Sequence, residues 1–246
     1  ITLIKENLID KISKIKIKKK SPFYSIDKTI VGESHHKKIS RVSSFLRRNK
    51  YDYLFITAPE NVAWLMNIRG YDSPTSPIPN SNLLLTKEKK VFLIVEKSKT
   101  TKLLNKKKLK QKQIIDPRYI LDFFEKLKKG NILLDEKTCS LHIEKVIKRK
   151  FKTIKGEDPI YILKSIKNNI EIKNMINAHI IDGVALTKFI YWIKNLKKLN
   201  ITEVEAQNKL EKFRKMNSKY LFPSFNTIAG SGKNGAIVHY RATKDN

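Results

Sequence analysis

Between Glu33 and Ile154, short runs of β-prone apolar residues alternate with longer segments of helical spacing, and few folds accommodate that alternation. Ser34 fits an N-cap. Ile39, Val42, Phe45 and Leu46 follow at helical spacing, predicting an amphipathic helix to about Asn49. Residues 51–57 predict a short buried strand. Pro59 can open the next helix in its first turn and Gly70 can close it. Three prolines within residues 73–79 mark a loop. Residues 83–85 and 91–95 then read as an antiparallel pair around a polar turn at 87–90. After them come a helix near 99–109, a strand near 112–115, a helix near 118–128, a strand at 131–134, a helix near 139–149 and a strand at 151–154. This order predicts an open, partly parallel α/β sheet with helices on its faces.

The pattern changes after Asp158-Pro159. A long helix is expected from about Asn169 to Leu199, with Ile172, Ile176, Ile180, Val184 and Trp192 on one face and Met175, Phe189 and Leu196 widening it. Thr202 and Glu205 fit a capping box that opens a second helix, to about Met216. Residues 222–229 are strand-like, 230–235 form a Gly-rich turn, and 236–240 are strand-like again. Two helices followed by a hairpin open a second domain of the α+β kind. The expected organisation is a tail at 1–22 ended by Ser21-Pro22, an α/β domain at 23–160, and an incomplete α+β domain at 161–246. The chain starts at Ile1 and stops just after a Gly-rich segment, so both ends read as cut.

Formal net charge is +29, which raises nucleic-acid binding as a reading. Only eight of the 52 basic residues are Arg, the side chain suited to bidentate phosphate and guanine contacts. The lysines are spread over the whole chain among many Ile and Asn, the pattern of AT-rich coding, and the run 106–108 reads as a solvated helix end. No nucleic-acid partner is therefore expected. No apolar run approaches the ~20 residues of a membrane span, and the first 20 residues lack the apolar centre of a secretory signal. A soluble, cytoplasmic protein with no membrane partner is expected. Cys139 is the sole cysteine, so an internal disulfide and a Cys-based zinc site are excluded.

Residues 230–235 match G-x-G-x-x-G literally. A dinucleotide site needs that loop between a strand and a helix. Here Ala-Ile-Val-His-Tyr follows, so a Gly-rich β-turn is the favoured reading. His35 and His36 open a polar helix, and His142 sits on a Lys-rich one; all three read as solvated. His179 lies three residues before Asp182 on one helical side, and packing with a satisfied hydrogen bond is favoured over ligation. His239, after a Gly turn and before Tyr240 and Arg241, is the candidate site residue, with a half-buried strand histidine as the bland alternative. The sequence contains no H-E-x-x-H and no acidic cluster after His239, hence no complete catalytic constellation.

Three stretches together resemble the three-domain Xaa-Pro aminopeptidases. Residues 61–72, NVAWLMNIRGYD, are similar to that family's middle-domain segment. Residues 178–186, AHIIDGVAL, with Phe189 and Trp192 after them, resemble its first catalytic-domain helix. Residues 225–240, FNTIAGSGKNGAIVHY, resemble the segment that carries its substrate-contacting histidine, and Ile4 to Ile12 is similar to the preceding linker. The departures are Asn61 where an acidic or other polar residue is common, Ala242 where Pro is common, and Ser13 where Trp is usual.

The resemblance implies a creatinase-like middle domain, preceded by a first domain and followed by a pita-bread catalytic domain. It implies removal of the N-terminal residue from peptides with proline second. It also implies two divalent ions, typically Mn²⁺, held by two Asp, one His and two Glu lying beyond Asn246, and a homodimer. This chain alone is then expected to be inactive. His239 matches the histidine whose N–H would stabilise charge on the reacting carbonyl oxygen. The alternative is a non-catalytic pita-bread module that binds peptides or proteins, to be told apart by whether the downstream ligands are intact. Prolidase and creatinase share the catalytic fold; the Trp64 to Gly70 stretch favours the aminopeptidase.

Overall fold

The computed structural model describes residues 21–197 and 201–244. The expected tail at 1–22, save its last two residues, and the expected helix end at Leu199 lie outside them. The chain opens with β1 (Tyr24–Ser25), α1 (Lys28–Val31), α2 (His35–Arg48), β2 (Tyr53–Ile56), α3 (Pro59–Met66) and β3 (Ile68–Arg69). It continues with β4 (Asn82–Thr86), β5 (Val91–Ile94), α4 (Thr101–Asn105), β6 (Ile114–Ile115), α5 (Ile120–Lys126) and β7 (Asn131–Leu134). Next come α6 (Leu141–Lys148), β8 (Lys152–Lys155), α7 (Ile160–Ser165), α8 (Asn169–Lys194), α9 (Glu203–Lys215) and a 3₁₀ turn at Gly232–Ala236.

Six strands form one sheet in the order β6-β5-β4-β2-β7-β8, and β1 pairs with β3 apart from it. β2 is central: Leu54 lies opposite Leu85 of antiparallel β4 and Leu133 of parallel β7. The sheet is thus partly parallel, as the alternation requires. Strand side chains alternate between faces, so a strand covered on both sides needs an unbroken apolar run. Residues 53–56 supply one. Leu54 and Ile56 enter a cluster with Val42, Leu46, Val62 and Leu65, while Tyr53 and Phe55 enter another with Phe124, Ile147 and Phe151. Full burial of one such side chain contributes about 1.5–3 kcal/mol. At the edges, β6 has two residues and β8 presents exposed Lys152 and Lys155, both of which discourage pairing with a further strand.

Ser34 caps α2 through Lys37 N–H, as expected. The helix opened by Pro59 stops at Met66, because Asn67 turns left-handed (φ 50°, ψ 47°), and Gly70 does not close it. Gly70 instead allows the proline loop to approach: a Cβ there would lie 2.9 Å from Pro79 Cα. The helix expected over 99–109 shrinks to a 3₁₀ turn at Lys97–Lys99 and α4. Lys102 and Lys106 place like charges one turn apart, and Lys107 has φ 52°. α8 ends at Lys194 rather than near 199. The first part of its expected apolar face is bare, with Ile176 58% and Ile180 60% exposed, while Phe189, Trp192 and Leu196 further along are half-buried. Among the described residues no helix is long and apolar enough to cross a membrane.

The end of the α/β region is locked by polar contacts at the C-terminal edge of β2 and β7. Asp158, buried, accepts from Asn61 Nδ2 (2.8 Å) and Ile160 N–H (2.9 Å). Asp135 Oδ2 accepts from Asp158 N–H at 3.1 Å, and Lys164 donates to Asn61 Oδ1 at 2.7 Å. Burial pushes the Asp158 carboxyl pKa up, against the hydrogen bonds from Ile160 and Asn61.

Candidate functional site

The segment carrying His239 is held by α9 rather than by a sheet. Thr202 caps α9 through Glu205 N–H, with Glu205 reaching back to Thr202 N–H at 2.8 Å, the reciprocal box expected from the sequence. That turn fixes Glu203, whose carboxylate accepts from Ser231 N–H, Asn234 Nδ2 and the Tyr240 hydroxyl (2.5 Å). Asn234 Nδ2 also donates to Tyr240 Oη at 3.0 Å, closing the ring of contacts. The hydrogen bonds from Tyr240 and Ser231 lower the Glu203 pKa. Sequence reading missed Glu203. Its only signal was an acidic residue inside a capping box, which the cap itself leaves free to face outward.

The strands expected at 222–229 and 236–240 are not formed. Backbone groups there bond locally instead: Asn234 N–H to Ser231 O, Ile237 N–H to Asn234 O, and Tyr240 N–H to Ile237 O. β-prone residues become a strand only where a ladder partner exists, and none lies beside them among the described residues. Phe225, Ile228, Ile237 and Val238 are consequently exposed.

His239 is exposed beside buried Tyr240, with its ring centre 6.5 Å from that of Phe225. Its φ is 56°, a left-handed conformation that costs a residue with a side chain roughly 1–2 kcal/mol. The other histidines lie elsewhere. His179 is exposed, with Nδ1 2.9 Å from Met175 O; Asp182 pairs not with it but with Arg214, at 2.6 and 3.1 Å. That ion pair ties α8 to α9 beside an 840 Å³ groove lined by Ile30, Pro77, Ala178, Ile181 and Phe222. His142 is exposed, as expected. His35 is not simply solvated: it is half-buried with Nδ1 3.0 Å from Lys108 Nζ, so Lys108 is not a freely solvated helix end either. Burial, then the Lys108 charge, push the His35 pKa down to about 4, and burial pushes that of Lys108 down to about 8. Among the described residues no three His, Cys, Asp or Glu side chains converge as a metal site, so no reaction step is routed through a metal on these residues.

A two-face-covered α/β sheet leading through a polar lock into a long helix, a capped helix and a Gly-rich turn defines a class of two-part chains, and comparison with known proteins places it. Residues 16–171 match the Creatinase/Prolidase N-terminal domain, and the chain belongs to that family. Residues 173–246 match Metallopeptidase family M24. The chain is 31% identical over 220 residues to Xaa-Pro aminopeptidase ApepP of Drosophila melanogaster, covering 87% of this chain and 36% of that protein. It is 29% identical over 269 residues to Xaa-Pro aminopeptidase 1 of Dictyostelium discoideum, covering 96% and 39%. It therefore spans well under half the length of these relatives. In fold it is similar to the X-prolyl aminopeptidase of Caenorhabditis elegans, described as a cytosolic enzyme with a di-nuclear active site (TM-score 0.76, 23% identity, 91% of this chain and 38% of that one). The Xaa-Pro dipeptidase of Bacillus anthracis is more distant (TM-score 0.57, 18% identity, 74% and 49%).

Proposed function

We propose that the whole protein to which this chain belongs is an Xaa-Pro aminopeptidase, removing the N-terminal residue from peptides with proline in second position. The observation that carries this reading is continuity: one relative so named aligns over 96% of the chain, across both family matches. Two divalent ions, Mn²⁺ in this proposal, would activate water at a di-nuclear centre like that named for the nematode enzyme, with ligands outside the described residues. The exposed apolar residues in the first part of α8 and in residues 225–238 fit a helix and a segment completed by further M24 structure. The proposed location is cytosolic, and the whole protein is proposed to be a homodimer.

Within this chain, His239 is the proposed substrate contact, donating an imidazole N–H to the scissile carbonyl. Its exposure supports this, since the ring is open to a substrate. Full-length His239→Ala should lose about 10²–10³-fold in kcat on an Xaa-Pro peptide, while binding metal as the wild type does. Wild-type turnover would remove the role of His239. A wild-type protein that binds such peptides without cleaving them under Mn²⁺ would favour the non-catalytic module.

A further inference from the structure

At its first turn α8 is joined to the α/β domain, and one side chain makes both the cap and the join. Asn168 Oδ1 accepts from the N–H groups of Ile170 and Glu171, both at 3.0 Å, and Glu171 reaches back to Asn168 N–H at 3.0 Å. The Nδ2 of the same amide donates to Val31 O of α1 at 2.9 Å. Asn174 of α8 donates to Ile30 O at 2.8 Å. Carbonyls at a helix end lack intrahelical partners, and the cap residue Asn168 and Asn174 of α8 fill two of those on α1. Gly32 follows with φ 74°, and a Cβ there would lie 2.3 Å from Asn168 Oδ1. The join therefore requires a residue without a side chain at that position.

We propose that Asn168 is a positioning pin that makes α1 and α8 move as one body, so that the α/β domain sets the direction of the first helix of the M24-matching segment. The shared amide is the reason. Unwinding the first turn of α8 releases Val31, and withdrawing α1 pulls on the cap. This inference is independent of the proposed activity, because it concerns only how the two elements are joined.

Amide hydrogen exchange in the full-length protein tests it. Asn168→Asp keeps the acceptor for Ile170 and Glu171 but removes the donor to Val31. Exchange at Gly32, whose N–H donates to Lys28 O at 2.6 Å, should then quicken about fivefold, the factor that one ordinary hydrogen bond contributes to an opening equilibrium. Ile170 and Glu171 should keep their protection. Asn168→Ala should speed both groups. Gly32→Ala should loosen α1 strongly in the wild-type background and less in Asn168→Ala, where its clash is gone. Wild-type exchange over 28–32 in Asn168→Asp, or an equal effect of Gly32→Ala in both backgrounds, overturns the pin and leaves Asn168 as a local cap.

Discussion

Replacing Lys38 with Met removes a charge that the fold buries with no ion-pair contact among the described residues. Lys38 is 1% exposed, its Nζ donates to Trp64 O (3.0 Å) and Asn67 Oδ1 (2.8 Å), and it sits 4.2 Å from the centre of the Trp64 ring. Burial pushes its pKa down from 10.5 to about 8, while the charges of Glu171 and Glu33 act in the opposite direction. That displacement of about 2.5 pH units corresponds to about 3 kcal/mol. The folded state holds this proton less tightly than the unfolded chain does. Between pH 8 and 10.5 the unfolded chain therefore carries more protons, and stability from this group rises with pH. Below pH 8 both states are protonated and the penalty is constant. In Lys38→Met the titration is gone, and the loss of two donors is a cost that does not change with pH. Other groups that titrate in this range, Lys108 among them, are common to both proteins. Urea unfolding at pH 7, 8, 9, 10 and 10.5 should show wild type gaining about 3 kcal/mol on the variant across the window. A difference that stays flat with pH would refute the argument and place the Lys38 pKa at its ordinary value.

Gly70→Ala brings a Cβ to 2.9 Å from the Pro79 backbone and should cost about 1–3 kcal/mol, read as a lowered thermal midpoint. Glu203→Gln should speed amide exchange at Ser231 while leaving the sheet amides unchanged, because the carboxylate that accepts from Ser231 and Tyr240 is weakened. His35, held near pKa 4 against 6.5 unfolded, should remain neutral by NMR at pH 5.5. The folded state takes up this proton last, so stability from His35 falls as pH drops from 6.5 to 4, and His35→Gln should flatten that part of the acid profile.

The α/β region was largely legible because its signals are local. Residues 131–134 form a strand over the expected range, and Ser34 caps where a cap was expected. Where local rules misled, a long-range contact decided. Gly70 suits a helix end by type, but its use is the approach of the proline loop. Residues 222–229 have strand composition, yet a strand exists only with a neighbour to bond. The resemblance in residues 225–240 pointed to His239, but Glu203, which holds that segment, was hidden because its partners lie 28 to 37 residues away. The α8 face was correctly seen as apolar, while periodicity says nothing of what covers it.

Open α/β sheets usually receive small molecules in the crevice beyond the carboxyl ends of their parallel strands. In this chain the corresponding position beyond β2 and β7 is stoppered from within, by Asp158, Asn61 and the start of α7. That part of the sheet's carboxyl edge is taken up by the chain's own exit. The polar rim of the sheet thus anchors the segment by which the polypeptide leaves it for α7 and α8.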